Sequence, residues 1–369
     1  MRRLRLFATS LRSSRLVGGS NSRSFPITNA SASIPDKTKR LYAELGRYGL
    51  TQEYLRKYVL PSWWDDSATT GSGGVELALR IAEGTGLNPT SLLQDQPQPT
   101  AKNIEGVRYK GDGSMSESCR ECVIGICRRV SQLAIEATKD RRQADVGQSP
   151  IGIRDSILAK GNPWVSLESL ANFCWDLGVP VLPVRQFPSK IKKPDGMVLS
   201  MNGRPAIVVC KNAKPTAWML FILAHELGHV LEGHLENGDI VDLKVTDTID
   251  EDDEVEAAAD RAAIAMLTGD PNTSYRLNSP APKAKELASK ASEAGNRDGV
   301  DPGHIVLNYV HGLNGPFYAL GNKALSILEP NANALKSLAK IAGERMDLSN
   351  LSEDHAEYLL RMMDFGTKE

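Results

Sequence analysis

The longest apolar run in the chain, Ala217 to Ala224, follows Pro215 and ends in polar side chains. A helix from about Pro215 to Glu232 is predicted, because proline is tolerated in the first turn of a helix. Residues Trp218 to Ala224 are apolar on every side, so this helix is expected to be buried. Upstream, Ser166 to Leu177 has helical spacing, and Val179 to Val184 reads as a short strand whose Pro180 and Pro183 confine it to a sheet edge. Met197 to Ser200 and Pro205 to Cys210 flank Met201-Asn202-Gly203, where Asn-Gly supplies the positive φ angles of a hairpin turn. Cys119 to Lys139 is an amphipathic helix with Val123, Ile126, Val130, Leu133 and Ala134 on one side. Glu256 opens another helix that runs through Leu267, and Ala284 to Ala294 and Asn333 to Arg345 are helical patterns without a chemical motif. Lys37 to Leu93 is helical and ends in Gln96-Pro97-Gln98-Pro99, which reads as a linker.

These elements predict an α+β chain, with a small β-sheet beside the 215–232 helix and helical regions on either side. At 369 residues the chain exceeds what one hydrophobic core usually organises, so several domains are expected. The divisions are a basic tail over 1–35, a helical region over 36–95, a linker and helix over 96–145, a central domain over 146–270 and a helical region over 271–369. Residues 1–35 hold six arginines, eight serines and no acid, the bias of either a disordered tail or an organellar transit peptide. Five irregularly spaced cysteines do not make a disulfide scaffold and point to a reducing compartment. The cytoplasm is therefore expected, with a mitochondrial or other organellar matrix as the alternative if the tail is a transit peptide. Cys119, Cys122 and Cys127 share one helix, which cannot wrap three thiols tetrahedrally around an ion, so they read as core residues. No apolar run approaches the roughly 20 residues that span a bilayer, so no membrane partner is expected.

A net charge of −1 gives no general reason to expect nucleic acid. Ala82, Gly86 and Leu92 do have the spacing of a helix-turn-helix and resemble the repressor type. The segment in the recognition position, Asn88 to Asp95, carries no Lys or Arg, and residues 41–100 hold four basic side chains against seven acidic ones. Phosphate contacts dominate DNA affinity, so DNA binding through residues 36–95 is not expected.

The polar residues that end the apolar helix are His225, Glu226 and His229 in His225-Glu226-Leu227-Gly228-His229. Histidines four apart lie on one helical face and can reach a single ion, and Glu226 projects beside them as the general base of a zinc protease. A catalytic zinc site needs a third protein ligand. Glu256 and His234 compete for that place. His234 lies on the opposite face of a continuous helix and turns inward only if Gly233 ends it, and its spacing fits no known third-histidine motif. Glu256 begins a separate helix, with Asp260 one turn later as a hydrogen-bond partner for a ligand imidazole. The reading favours Glu256 and leaves His234 without a part in the site. His304, in Asp301-Pro302-Gly303-His304, could reach the site as a transition-state donor, although that segment also reads as a helix cap.

Leu223-Ala224-His225-Glu226-Leu227-Gly228-His229, followed by Glu256-x3-Asp260-x2-Ala263-x2-Met266-Leu267, resembles the ImmA/IrrE family of zinc metallopeptidases over about residues 166–267. The resemblance implies a zincin-like fold with Zn2+ on His225, His229 and Glu256, and Glu226 as general base. It also implies a protein substrate such as a transcriptional repressor, cut at one site. Asp260 and Ala262 stand where the family usually has Asn and Phe, and Thr268 where it usually has proline. An edge strand of the hairpin is expected to pair with extended substrate. The alternatives are a DNA-binding regulator with a zincin-like sensor domain and an inactive, metal-stabilised interaction protein.

Overall fold

The computed structural model describes residues 34–65, 72–100, 108–110, 117–138, 147–189, 191–237, 240–242, 254–277, 282–313 and 317–365. The basic tail lies outside them except for its last two residues, which begin the first helix. The N-terminal half runs α1 (Ile34–Arg47), α2 (Gln52–Tyr54, continued by a π turn over Leu55–Val59), α3 (Ser72–Thr85), α4 (Pro89–Leu92), β1 (Arg108–Lys110), α5 (Glu117–Ala137), α6 (Pro150–Leu158) and α7 (Leu167–Asp176). The central segment runs β2 (Val181–Pro183), β3 (Gly196–Met201), β4 (Arg204–Val209), α8 (Thr216–Leu231), a 3-10 turn (His234–Asn237), β5 (Ile240–Asp242) and α9 (Glu254–Thr268). Then follow α10 (Ala284–Asp298), α11 (Pro302–His311), α12 (Tyr318–Leu328), α13 (Ala334–Arg345) and α14 (Glu353–Met363). The chain is α+β and mostly helical, as the pattern predicts.

The strands form one sheet in the order β1-β5-β3-β4-β2. Strands β3 and β4 are the expected hairpin, turning at Asn202 and Gly203 with φ of 54° and 79°. Strand β2 lies parallel to β4 at one edge, where its proline leaves no ladder bond unmade. Strand β5 pairs with Gly196–Val198 of β3 and β2 with Ile207–Val209 of β4, so each hairpin strand is flanked over that half, while Leu199–Met201 pairs with β4 alone among the described residues. Met197, Val198 and Leu199 on β3, and Ile207, Val208 and Val209 on β4, are all fully buried. Successive strand residues face opposite sides, so both faces of the sheet are covered, with α5 and α8 each packing on β3 and β4.

One main core runs from Leu41 in α1 through the sheet to Met363 in α14. The helices of 36–95 therefore share a core with the sheet instead of forming their own. The reason lies in α5, which buries Cys122, Ile124 and Cys127 as well as the predicted apolar face and so needs partners on several sides. Helix α3 meets it at a glycine pair, where a Cβ on Gly86 would overlap the Gly125 Cα. The helix-turn-helix reading fails at its second helix, since α4 is a single turn. Beyond α4 the chain doubles back, with the Asn88 N–H donating to the Thr100 carbonyl at 2.7 Å and the Gln98 N–H to the Ser91 carbonyl at 3.2 Å. Pro97 and Pro99 are buried, so the proline-rich stretch is packed and does not act as a linker. The C-terminal region also divides: α10, α11 and α12 form a smaller cluster with Ala217, whereas α13 and α14 return to the main core. No helix among the described residues is long and apolar enough to cross a membrane.

Arg154 on α6 is 6% exposed and donates to the Leu267 carbonyl at 2.7 Å and the Gly299 carbonyl at 2.7 Å. It thereby serves unpaired carbonyls at the ends of α9 and α10. Arg154→Met keeps the aliphatic stem and abandons those carbonyls, so stability should fall by about 2–3 kcal/mol. The urea midpoint measures the loss, and an unchanged midpoint would show that the guanidinium does not hold these ends.

Candidate metal centre

Helix α8 is fixed at its start from far along the chain. Pro215 makes no side-chain cap; instead Glu329 accepts from the Thr216 N–H at 2.9 Å and from the Thr216 hydroxyl at 2.6 Å. A carboxylate is well placed at the positive end of a helix. The helix ends at Gly233, whose φ of 70° only glycine adopts without strain.

Between these ends the predicted polar residues are buried in an apolar helix: His225 is 2% exposed, and Glu226 and His229 are 0% exposed. The Nε2 atoms of His225 and His229 lie 3.1 Å apart. Glu256, in the first turn of α9, sets Oε2 3.3 Å from His225 Nε2 and Oε1 3.4 Å from His229 Nε2. These residues form a group able to hold a metal ion. A tetrahedral ion bonded at about 2.0–2.1 Å spaces its ligand atoms by roughly 3.3–3.4 Å, and the separations of 3.1, 3.3 and 3.4 Å, the last two reaching different Glu256 oxygens, lie close to that spacing. The Glu256 and Asp260 side chains keep 17% and 20% exposure, while the Glu256 Oε1 that faces His229 is buried.

Two glycines make the arrangement possible. A Cβ on Gly228 would stand 2.8 Å from the Ala259 carbonyl oxygen and 3.1 Å from the Ala259 Cα, so α9 can pass this close only over a glycine. That approach carries Glu256 to both imidazoles. A Cβ on Gly196, at the start of β3, would overlap a Glu226 carboxylate oxygen and lie 2.8 Å from Glu226 Cδ. The hairpin thus leaves room for Glu226 beside the ligand residues.

Each ligand imidazole is also held at its other nitrogen. Asp260 Oδ1 lies 2.8 Å from His225 Nδ1, in the partner position the sequence predicts for it. His234 Nδ1 lies 2.9 Å from His229 Nδ1, which corrects the expectation that His234 has no part in the site. The condition on which the sequence lets His234 turn inward, that Gly233 end the helix, is met. His304 is placed otherwise: Asp301 caps α11 by accepting the His304 N–H at 3.0 Å, as the cap reading predicts. Its ring, 2% exposed, stacks on Phe221 at 6.0 Å, and Phe221 in turn lies 6.4 Å from the His225 ring. Among the described residues the His304 ring nitrogens have no hydrogen-bond partner, and burial pushes its pKa down to about 4, so the ring is neutral at pH 7. It does not join the ligand triangle.

Gly196, Gly228 and His234 were not legible as site residues, although a glycine in the middle of an apolar helix was a signal of close packing for Gly228. Scans against protein-family models, curated proteins and solved structures return no match to the chain.

Zinc titration against a chromophoric chelator tests the geometry. Glu256→Ala should lower affinity sharply, and Asp260→Ala should lower it on the order of 10–100-fold. Gly228→Ala should fold yet bind metal more weakly, because the added methyl pushes Glu256 away from the imidazoles. Parent affinity in Gly228→Ala would show that the helix spacing does not control the centre.

Proposed function

We propose that this chain is a zinc-dependent endopeptidase of the ImmA/IrrE type, with a zincin-like catalytic domain and a regulatory protein, such as a transcriptional repressor, as its substrate. The observation that carries the reading is the cluster of buried His225 and His229 with half-buried Glu256, and buried Glu226 at the position next to His225 on the same helix. Two imidazoles and one carboxylate are a zinc-protease donor set, and three protein ligands leave a position open. The substrate class rests on the motif resemblance alone. A DNA-reading role draws no support from α4, which is too short to enter a groove.

A bound zinc ion would polarise the scissile carbonyl and make water a stronger acid at neutral pH. The chain's own residues do the rest. Glu226 takes a proton from the attacking water as its oxygen bonds to the carbonyl carbon. It then delivers that proton to the amide nitrogen as the C–N bond breaks. Asp260 and His234 hold the ligand rings so that both Nε2 atoms face the centre. Reduced cytosol or an organellar matrix is the compartment that the free cysteines suit.

Glu226→Gln should keep full zinc stoichiometry and lose cleavage of a quenched-fluorescent peptide library, because the amide preserves shape but cannot accept the proton. Cleavage at the parent rate would remove Glu226 from the mechanism.

A further inference from the structure

The ligand face of α8 is anchored by two unlike partners, one charged and one neutral. A histidine that offers Nε2 to a metal must be unprotonated there, so the proton of neutral His229 sits on Nδ1. That Nδ1 faces the Nδ1 of His234 at 2.9 Å. One nitrogen of such a pair must donate and the other accept. With the His229 proton on Nδ1, His234 accepts through its bare Nδ1 and carries its own proton on Nε2. The rings are 5.1 Å apart and tilted by 59°, an arrangement that is not stacked and suits a bond between ring edges.

We propose that His234 is a positioning residue that locks the tautomer and ring plane of His229 by accepting its Nδ1–H, as Asp260 does for His225. The inference rests on the metal-centre reading above. The local backbone is built for it. Gly233, at φ 70°, stops α8 one residue before His234, and the 3-10 turn over His234–Asn237 carries the ring back beneath His229. The helix would otherwise swing position 234 to its far side. The two anchors differ in strength. A carboxylate acceptor makes a charge-assisted bond roughly twice as strong as a neutral one, so His225 is the more basic ligand and His229 the weaker.

The test uses the full chain with Zn2+ and Co2+ as probes. Zinc affinity is measured by competition with a chromophoric chelator, and the Co2+ visible absorption reports ligand geometry. His234→Ala should weaken zinc binding on the order of 10-fold and shift the Co2+ band. His234→Gln, whose amide oxygen can accept the same proton, should restore both. His234→Asp should bind zinc more tightly than the parent, because it makes the second anchor a carboxylate. Circular dichroism and urea midpoints of the metal-free proteins separate these effects from misfolding, and the Gln and Asp variants decide the matter if the Ala variant does not fold. Parent affinity and an unshifted band in His234→Ala would overturn the proposal, as would a Gln variant as weak as Ala. A parent chain that binds neither ion would overturn the metal-centre reading itself, which is a different result from either.

Discussion

The centre depends on how closely α9 passes α8. Helices ordinarily pack with axes about 8–10 Å apart, set by the side chains between them. Here the contact is Gly228 against the backbone of Ala259, so no side chain holds the helices apart. Glu256 lies one turn before that contact and Asp260 one residue after it. One close approach therefore delivers a carboxylate to both His225 and His229 and a second carboxylate to the far side of His225. The approach is held from outside the centre. Glu329 fixes the start of α8, and Arg154 takes the Leu267 carbonyl near the end of α9.

Charge explains why these polar groups tolerate burial. Glu226 is fully buried and Glu256 mostly so, and an ionised carboxylate in an apolar surrounding is costly unless compensated. Under the proposed reading, a divalent cation at the ligand triangle offsets both carboxylates at once, while the imidazoles stay neutral. The same cation would make the unequal anchors of the two histidines matter, since ring orientation and basicity act directly on the metal bond. His304 stands apart from this balance. It is neutral through burial and stacked on Phe221, the ring that separates it from His225.

The N-terminal helices bear on the centre through the sheet. Helix α5 covers strands β3 and β4, α3 locks onto α5 at the Gly86–Gly125 contact, and α14 packs on the same helix. Gly196 opens β3 and leaves the space for Glu226, so the placement of the Glu226 carboxylate depends on a sheet that these helices support. A region that reads in isolation as a separate interaction module is, in the folded chain, part of the scaffold.

The sequence by itself determined the features that arise within a few residues. Helical period placed His225, Glu226 and His229 on one buried helix, Asn202-Gly203 supplied the hairpin turn, and Pro180 and Pro183 marked an edge strand. Backbone geometry and proline chemistry act locally, so each was legible without a partner. Glu256 and Asp260 were legible as a pair because four-residue spacing puts them on one face. Only the tertiary structure decided what depends on distant contacts. It reduced α4 to one turn, packed Pro97 and Pro99, joined α13 and α14 to the main core, and flanked one half of each hairpin strand with β5 or β2. It also brought His234 to His229. Rotation along a helix can be counted from spacing, but where Gly233 ends that helix, and which side chain then returns to it, is settled by the packing around it.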